Sequence, residues 1–388
     1  MSSRRAPRPR PHVSRWAVCA LFACALAAAG TATATETRVR SLGGDGDWFD
    51  DTANVLRWYG CLPAYPQMAV VEYGEYAWRA EDSAGAGVHW SPAGRDGTAS
   101  LGLYLFDDLD RANNPARPDG VNVLAGWRWG RAALGLHVGT SYVWAGAEMN
   151  ELSLGLGARL DLNPRAFLDL AADLRGSRLR REEGEEAVER QSWGSFALRA
   201  RALRELGPQV VLLAVAEYAR DDRDLLVPAF LTYGGLASSR LDAWAARGGV
   251  AVQVLPHPDA MVIAAIDWRE GRQDVAQWPS GGQLLEPIPV ISQTHSYPTE
   301  RLAVEARVRP WLSLRASCVH VPTGVAQPLW VPGVGSFDVA CGLGFHVGDL
   351  DADVLLSDGA PFNLGSWLTN AGEQERSTFT GVSLAYAF

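Results

Sequence analysis

Gly381-Val382-Ser383-Leu384-Ala385-Tyr386-Ala387-Phe388 closes the chain. Successive side chains of an extended strand point to opposite faces. Val382, Leu384, Tyr386 and Phe388 therefore share one apolar, aromatic-ended face, while the residues between them are small or polar. An ordinary edge strand could end this way, so the rest of the chain has to decide what the octapeptide belongs to.

Working back from it, the same period of two recurs. Leu152, Leu154, Leu156, Ala158, Leu160 and Leu162 oppose Glu151, Ser153, Gly155, Gly157, Arg159 and Asp161. After Asn163-Pro164, Ala166, Leu168, Leu170, Ala172 and Leu174 oppose Asp169, Ala171, Asp173 and Arg175. Leu302, Val304, Ala306 and Val308 oppose Arg301, Ala303, Glu305 and Arg307, and Leu350, Ala352, Val354 and Leu356 oppose Asp349, Asp351 and Asp353. No apolar stretch after residue 35 is long enough for a transmembrane helix.

A soluble antiparallel sheet with one wet face would alternate too. Two features separate the readings. The runs are long, roughly 9–14 residues, as tilted membrane strands must be, rather than the about 5–6 usual in soluble domains. The connections also alternate in length. Tight turns stand at Gly130-Arg131, Asn163-Pro164, Leu206-Gly207-Pro208, Pro256-His257-Pro258, Arg309-Pro310 and Gly348-Asp349. Long polar loops are expected near 107–119, 176–190, 220–241, 269–298, 321–335 and 358–374. Short turns on one rim and long loops on the other define an outer-membrane barrel. The fold class expected is all-β, a transmembrane antiparallel barrel of about sixteen strands, from Met68–Trp78 to Thr378–Phe388. Fourteen remains open, because Gly85–Trp90 is short and Glu75 shares a face with Val71 and Tyr73, which needs a bulge or an early strand end. Trp127, Trp129, Tyr142, Trp144, Tyr218, Trp244, Trp268, Trp311 and Tyr386 lie near strand ends on the outward face, as interfacial girdles do.

In this setting the terminal strand resembles the assembly signal read by the bacterial outer-membrane insertion machinery, with Leu384, Tyr386 and Phe388 as its recognised face. The amino end agrees. Arg4, Arg5, Arg8, Arg10 and Arg15 precede an apolar run from Trp16 to Ala29, and Ala32-Thr33-Ala34 offers a small-x-small cleavage site. That is the layout of a secretory signal, too short to span a membrane comfortably. Leu21-Phe22-Ala23-Cys24 is similar to a lipoprotein box, but the apolar stretch before Cys24 is too short for one. The expected division is signal 1–34, a lead segment 35–66 and a barrel 67–388, located in the outer membrane of a Gram-negative cell. The expected partners are outer-membrane lipid, the barrel-assembly machinery and a small-molecule solute.

The chain contains no lysine, so every fixed positive side chain is arginine. Its formal charge is -9, and loss of the five signal arginines leaves -14. That balance argues against nucleic acid or anionic lipid as a general partner. Of five cysteines, Cys19 and Cys24 leave with the signal. Cys61, Cys318 and Cys341 have no zinc or redox spacing. Cys318 and Cys341 read as lipid-facing on adjacent strands, either bridged or as two isolated thiols.

The inward face carries both signs of charge: Arg128, Arg159, Arg175, Arg199, Arg201, Arg247, Arg307 and Arg315 against Asp161, Asp169, Asp173, Glu217, Asp267, Glu305 and the three aspartates of 349–353. Charge facing lipid costs a few kcal/mol at mid-depth, so these groups line a lumen. A two-residue register across Arg309-Pro310 sets Glu305 opposite Arg315, and across Asn163-Pro164 it sets Arg159 near Asp169. They either line a watery pore or pair in a constricted interior; mixed signs at neighbouring positions favour pairing.

Residues 36–66 are not a barrel strand. Glycine turns lead to Asp50-Asp51-Thr52-Ala53-Asn54, and Asp51 or Thr52 could cap a short helix over Ala53–Tyr59. Pro63 precedes the first strand. This pattern resembles the amino-terminal segment of the long-chain fatty-acid transporter superfamily of outer-membrane barrels and its secretion-associated relatives. The Asn-Pro-Ala usual there is absent, with Arg57-Trp58-Tyr59-Gly60 in its place. The resemblance implies that the segment enters the lumen as a plug, with Asp50, Asp51, Asn54, Arg57 and Trp58 as candidate plug residues. A periplasmic lead-in is the alternative.

Residues Arg269–Pro298 hold Val275, Trp278, Leu284, Leu285, Ile288, Val290 and Ile291. So apolar a stretch would fold over the barrel mouth or offer a greasy surface to a ligand. The histidines 89, 137, 257, 295, 320 and 346 are scattered, without nucleophile motif or metal spacing. No catalytic role and no cofactor are expected. The reading is an outer-membrane channel for small, hydrophobic solutes, with a non-transporting scaffold barrel as the alternative.

Overall fold

The runs of alternating residues close on themselves. The computed structural model describes residues 35–43, 46–75, 82–92, 98–108, 119–142, 147–183, 186–226, 236–279, 288–321, 336–356 and 379–388. It is a closed antiparallel barrel of sixteen strands. In order these are β1 (Met68–Glu75), β2 (Asp82–Trp90), β3 (Ala99–Asp108), β4 (Asp119–Trp129), β5 (Ala132–Tyr142), β6 (Ala147–Asn163), β7 (Ala166–Glu183) and β8 (Glu186–Gly207). There follow β9 (Val210–Leu226), β10 (Leu236–His257), β11 (Ala260–Pro279), β12 (Ile288–Arg309), β13 (Leu312–Val321), β14 (Ser336–Val347), β15 (Leu350–Leu356) and β16 (Phe379–Ala387). Each strand pairs with its sequence neighbours, and β1 closes the ring on β16 with Met68 opposite Ala387. Closure leaves no unpaired edge, which is what allows strands to stand in hydrocarbon.

The faces divide by parity. Leu152, Leu154, Leu156, Leu160, Leu162, Val250, Val252, Ile266, Leu302 and Val304 stand exposed on the outer wall. Trp127, Trp129 and Trp311 are exposed there as well, at or near strand ends, whereas the exposed Tyr218 and Trp268 stand midway along β9 and β11. The first strand runs in unbroken register from Met68 to Glu75; the rest of the stretch expected to reach Trp78 lies outside the described residues. Tight turns rest on local chemistry: Gly130 and Gly348 adopt φ of 57° and 62°, which only glycine takes freely. At Asn163 the side-chain oxygen accepts from the Arg165 amide at 2.8 Å.

The wall is uneven in height. Among the described residues β1 to β5 have 8 to 11 residues, whereas β8, β10 and β12 have 22 each. At about 3.3 Å per residue and a tilt near 45°, a strand of that length rises about 50 Å, against about 30 Å of hydrocarbon. This corrects three loop expectations. Strands, not loops, run through most of 176–190, 220–241 and 269–298. Val275, Trp278, Ile288, Val290 and Ile291 are therefore strand residues, while Leu284 and Leu285 lie outside the described residues. Above Tyr218 and Trp268 the outward face changes to Arg220, Asp222, Asp242, Glu270, Arg272 and Asp274. Wall standing above lipid no longer needs an apolar face, and so no longer alternates. The loops expected near 107–119, 321–335 and 358–374, together with Trp144, fall largely or wholly outside the described residues.

Residues 35–43 and 46–67 lie inside the ring. A short helix α1 (Glu36–Ser41) packs against β13 to β16, and a second turn packs against β3 to β7. The helix expected over Ala53–Tyr59 is instead a 3-10 turn, Thr52–Leu56, followed by another at Tyr59–Ala64. Asp51 occupies the N-cap position of the first turn but makes no side-chain cap bond. Its carboxylate is engaged by Arg38 at 2.7 Å and by the Thr52 hydroxyl at 3.2 Å. Val39, Trp48, Phe49, Val55, Trp58, Tyr59, Cys61 and Leu62 are buried between segment and wall.

Candidate functional site

The lumenal interface has two unlike halves. Along β6 to β13 it combines an apolar seat, where Val39, Leu42, Trp48 and Phe49 pack with Leu213, Ala251 and Ile263, with arginines and carboxylates spaced two residues apart by strand parity. Arg159 and Asp169 stand opposite each other in register. The Arg159 Nε donates to Asp169 Oδ1 at 2.7 Å, while Nη1 and Nη2 reach Asp50 of the segment at 2.9 and 2.7 Å. Arg201, wholly buried, donates from Nη2 to Asp169 at 2.7 Å and from Nη1 to the Phe49 carbonyl at 2.9 Å. Its guanidinium stacks 5.0 Å from the Trp58 ring, and that of Arg159 lies 4.1 Å from Phe167. Two arginines and two carboxylates thus balance, with bidentate geometry suited to burial.

The next cluster centres on Asp47. It accepts from Arg57 at 2.9 Å, from Arg247 at 2.8 Å and from the Trp58 indole at 3.1 Å. Arg57 continues to Glu217 at 2.9 Å, and Glu217 accepts from Arg199 at 2.8 Å. Arg199 and the Tyr59 hydroxyl both bond Asp173. Arg247 also reaches Asp267 at 3.2 Å, and Arg301 donates to the Gly43 carbonyl at 2.7 Å. A third cluster joins Arg38 to Asp51 and to Glu305, each at 2.7 Å. Glu305 stands opposite Arg315 and pairs with it at 3.2 Å, and Arg315 bonds Asp353.

Electrostatics within the segment follow these contacts. Burial alone would raise the Asp50 carboxyl, but hydrogen bonding and charge from Arg159, with Arg201, hold it below the ordinary range. Asp51 goes the other way: burial pushes it up to about 6, and Arg38 only partly opposes this. Burial, then Asp173, raises the Tyr59 phenol, and burial keeps the Cys61 thiol protonated.

The opposite half, along β2 to β6, works by shape. Leu101, Leu103 and Leu105 are exposed outward, so Tyr104 and Phe106 turn into the lumen. The Tyr104 ring lies 5.4 Å from His89 and 6.3 Å from Phe106. The His89 Nε2 and the Tyr104 hydroxyl are 2.5 Å apart, and Nδ1 meets the Tyr65 carbonyl at 3.0 Å. Tyr59 stacks on His137 at 4.8 Å. Glycine makes room for the second turn: a Cβ on Gly135 would lie 2.0 Å from the Tyr59 carbonyl oxygen, and one on Gly157 would lie 2.6 Å from the Gly60 nitrogen.

Not every candidate joins these clusters. Arg128 and Asp161 pair at 2.5 Å but near a turn rim, 40% and 28% exposed. Arg307 is exposed at the same rim, opposite Ser313. Asn54 is buried, but its amide donates to the Phe49 carbonyl at 2.8 Å within its own segment. Cys318 and Cys341 form no disulfide and lie on adjacent strands, offset by two positions in register.

Sequence reasoning missed Arg38, Asp47 and Tyr59, whose partners lie far away in sequence. It also missed Tyr104 and Phe106, which strand parity could have found. It further missed that Ser313, His346 and Asp351 converge, with the imidazole 2.8 Å from the Ser313 hydroxyl and 2.6 Å from the Asp351 carboxylate. The order matches a hydrolase triad. However, Ser313 is only 2% exposed, and surrounding backbone amides are committed to strand pairing. The three side chains form a hydrogen-bonded network on the inward face of β13 to β15. Among the described residues no group of three or more His, Cys, Asp or Glu could hold a metal.

No family model and no curated protein matches the chain. Solved structures similar to it include a TodX monoaromatic hydrocarbon channel mutant, at 11% identity and a TM-score of 0.49, covering 92% of this chain and 99% of that one. The toluene transporter TbuX of Ralstonia pickettii aligns at 10% identity and a TM-score of 0.44, covering 90% and 97%. The alcaligin outer-membrane receptor FauA of Bordetella pertussis aligns at 10% identity and a TM-score of 0.46 over 74% of this chain, which spans 50% of FauA.

Proposed function

We propose that this chain is an outer-membrane transport barrel for small hydrophobic solutes, with residues 35–66 as its plug. The closed ring, the exposed leucine rows and the aromatic rims support a place in the outer membrane. The observation that carries the plug reading is the bonding of the segment to the wall. Arg38, Asp47, Asp50, Arg57 and Tyr59 each meet wall side chains on other strands. A chain merely passing through would not be matched so closely by charge.

The solute class is inferred from the unlike halves. The guanidinium half is fully engaged and offers a solute little. The half with Tyr104, Phe106, Leu62 and Tyr65 holds its segment by apolar contact, which shifts more cheaply than a buried ion pair. A route opening there would present aromatic and aliphatic surface. No catalytic step is part of this proposal. The ion-paired interior favours one second reading, a closed barrel serving as a scaffold. Proteoliposome uptake of small aromatic and aliphatic solutes separates the two. Transport predicts saturable uptake of apolar solutes and little of sugars; absence of uptake, with or without residues 36–66, contradicts it.

A further inference from the structure

Thr35 is the first residue beyond the small-x-small site Ala32-Thr33-Ala34, yet it does not lie at the surface. It is 1% exposed, inside the barrel. Its hydroxyl donates to Asp353 Oδ2 at 2.7 Å and accepts from Ser383 at 2.7 Å and from the Arg38 amide at 3.3 Å. The α-nitrogen, three bonds from Oγ1, is therefore within about 4 Å of an atom that touches Asp353.

The charges here do not balance. Arg38 and Arg315 are shared among Asp51, Glu305 and Asp353: two guanidiniums for three carboxylates among the described residues. The neighbouring Arg159–Arg201 cluster, by contrast, pairs two with two. Burial is the main cause of the upward displacement of Asp51, Arg38 opposes it, and the negative charge of Asp353 adds to it.

We propose that removal of the signal after Ala34 supplies the missing cation: the new α-ammonium of Thr35 ion-pairs with Asp353 and fastens the docked segment. Hydrolysis of the Ala34–Thr35 peptide bond consumes one water, leaves a carboxylate on the departing signal and an ammonium on the mature chain. The amide of an uncleaved chain at the same place could donate one hydrogen bond but no charge. The fastening therefore exists only after export is complete. This goes beyond the transport reading and requires no solute to pass; it requires only that the segment be docked.

The absence of lysine makes the test direct, because the mature chain has a single primary amine. Intact mass of protein purified from outer membranes is expected to give Thr35 as the first residue; any other start overturns the proposal. The folded protein is then exposed to an amine-reactive succinimidyl ester at neutral pH, with heat-denatured protein as reference. Pairing that raises the amine pKa by one unit slows labelling about tenfold. Asp353→Asn keeps the shape and removes the charge, so labelling of the folded variant is expected to accelerate. A second variant with Gly-Ser inserted between Ala34 and Thr35 moves the amine about 7 Å away and is expected to label at the denatured rate. Fast labelling of the folded parent protein, or slow labelling unchanged in both folded variants, overturns the proposal. Solute uptake is read separately, so loss of transport and loss of fastening cannot be confused.

Discussion

Both halves of the lumen hold the segment by apolar contact, and one of them adds a network of ion pairs. Against β6 to β13, Asp50 and Asp47 are gripped by Arg159, Arg201 and Arg247 through directional, charge-assisted bonds. Against β2 to β6, Tyr59, Gly60 and Leu62 rest on glycines and aromatic rings. Ion pairs of this kind are unforgiving: removing one partner leaves a buried charge, at about 3–5 kcal/mol. Apolar seats lose less and lose it gradually. A plug fixed on one side and merely seated on the other can tilt without letting go.

The largest effect is expected from Arg201→Ala. It strips Asp169 and Asp50 of a wholly buried partner and frees the Phe49 carbonyl. Docking should weaken by about 3–5 kcal/mol, seen as protease cleavage within 35–66 while the barrel stays intact. Gly135→Val tests the other half. Its side chain collides with the Tyr59 carbonyl, and overpacking of this kind costs about 1–3 kcal/mol. The second turn should lift while the Asp50 contacts persist, raising solute uptake without releasing the segment. If Gly135→Val frees the whole segment, the two halves are not independent.

Acid sharpens the contrast. The folded-state pKa of Asp50 lies below its unfolded value. Its contribution is therefore present above about pH 4 and lost as pH falls through the depressed value. Docking measured by protease protection should weaken in that range, and Asp50→Asn should remove that part of the pH dependence. The smallest effect belongs to Arg128→Ala. Its pair with Asp161 is exposed at a rim, where such pairs contribute about 0–1 kcal/mol, so melting and docking should barely move.

Much of the wall was legible because lipid imposes a rule that sequence must show. Leu152 to Leu162 alternate over a longer run than soluble strands usually do, and Arg159 stands opposite Asp169 through a one-residue register shift next to the turn at Asn163-Pro164. Legibility stopped where the rule stopped. Strands β7 to β12 continue beyond the lipid, and residues such as Arg220, Asp222 and Asp242 read as loop because nothing there demands an oily face. Inside the barrel, period two identified the inward charges but not their partners. Arg199 meets Glu217 and Asp173 on its neighbouring strands, but the segment partners Asp50 of Arg159 and Asp47 of Arg247 come from far away in sequence. The turn at Thr52–Leu56 was misread for a related reason: Asp51, a good capping residue, is engaged instead by Arg38.

Single-channel conductance of the mature protein, compared with the chain lacking residues 36–66, bears most directly on whether the segment closes the lumen. The account predicts a small or absent current from the intact protein and a large, steady one from the shortened chain, which keeps its full ring of sixteen strands. Equal conductance from the two, large or small, would contradict it.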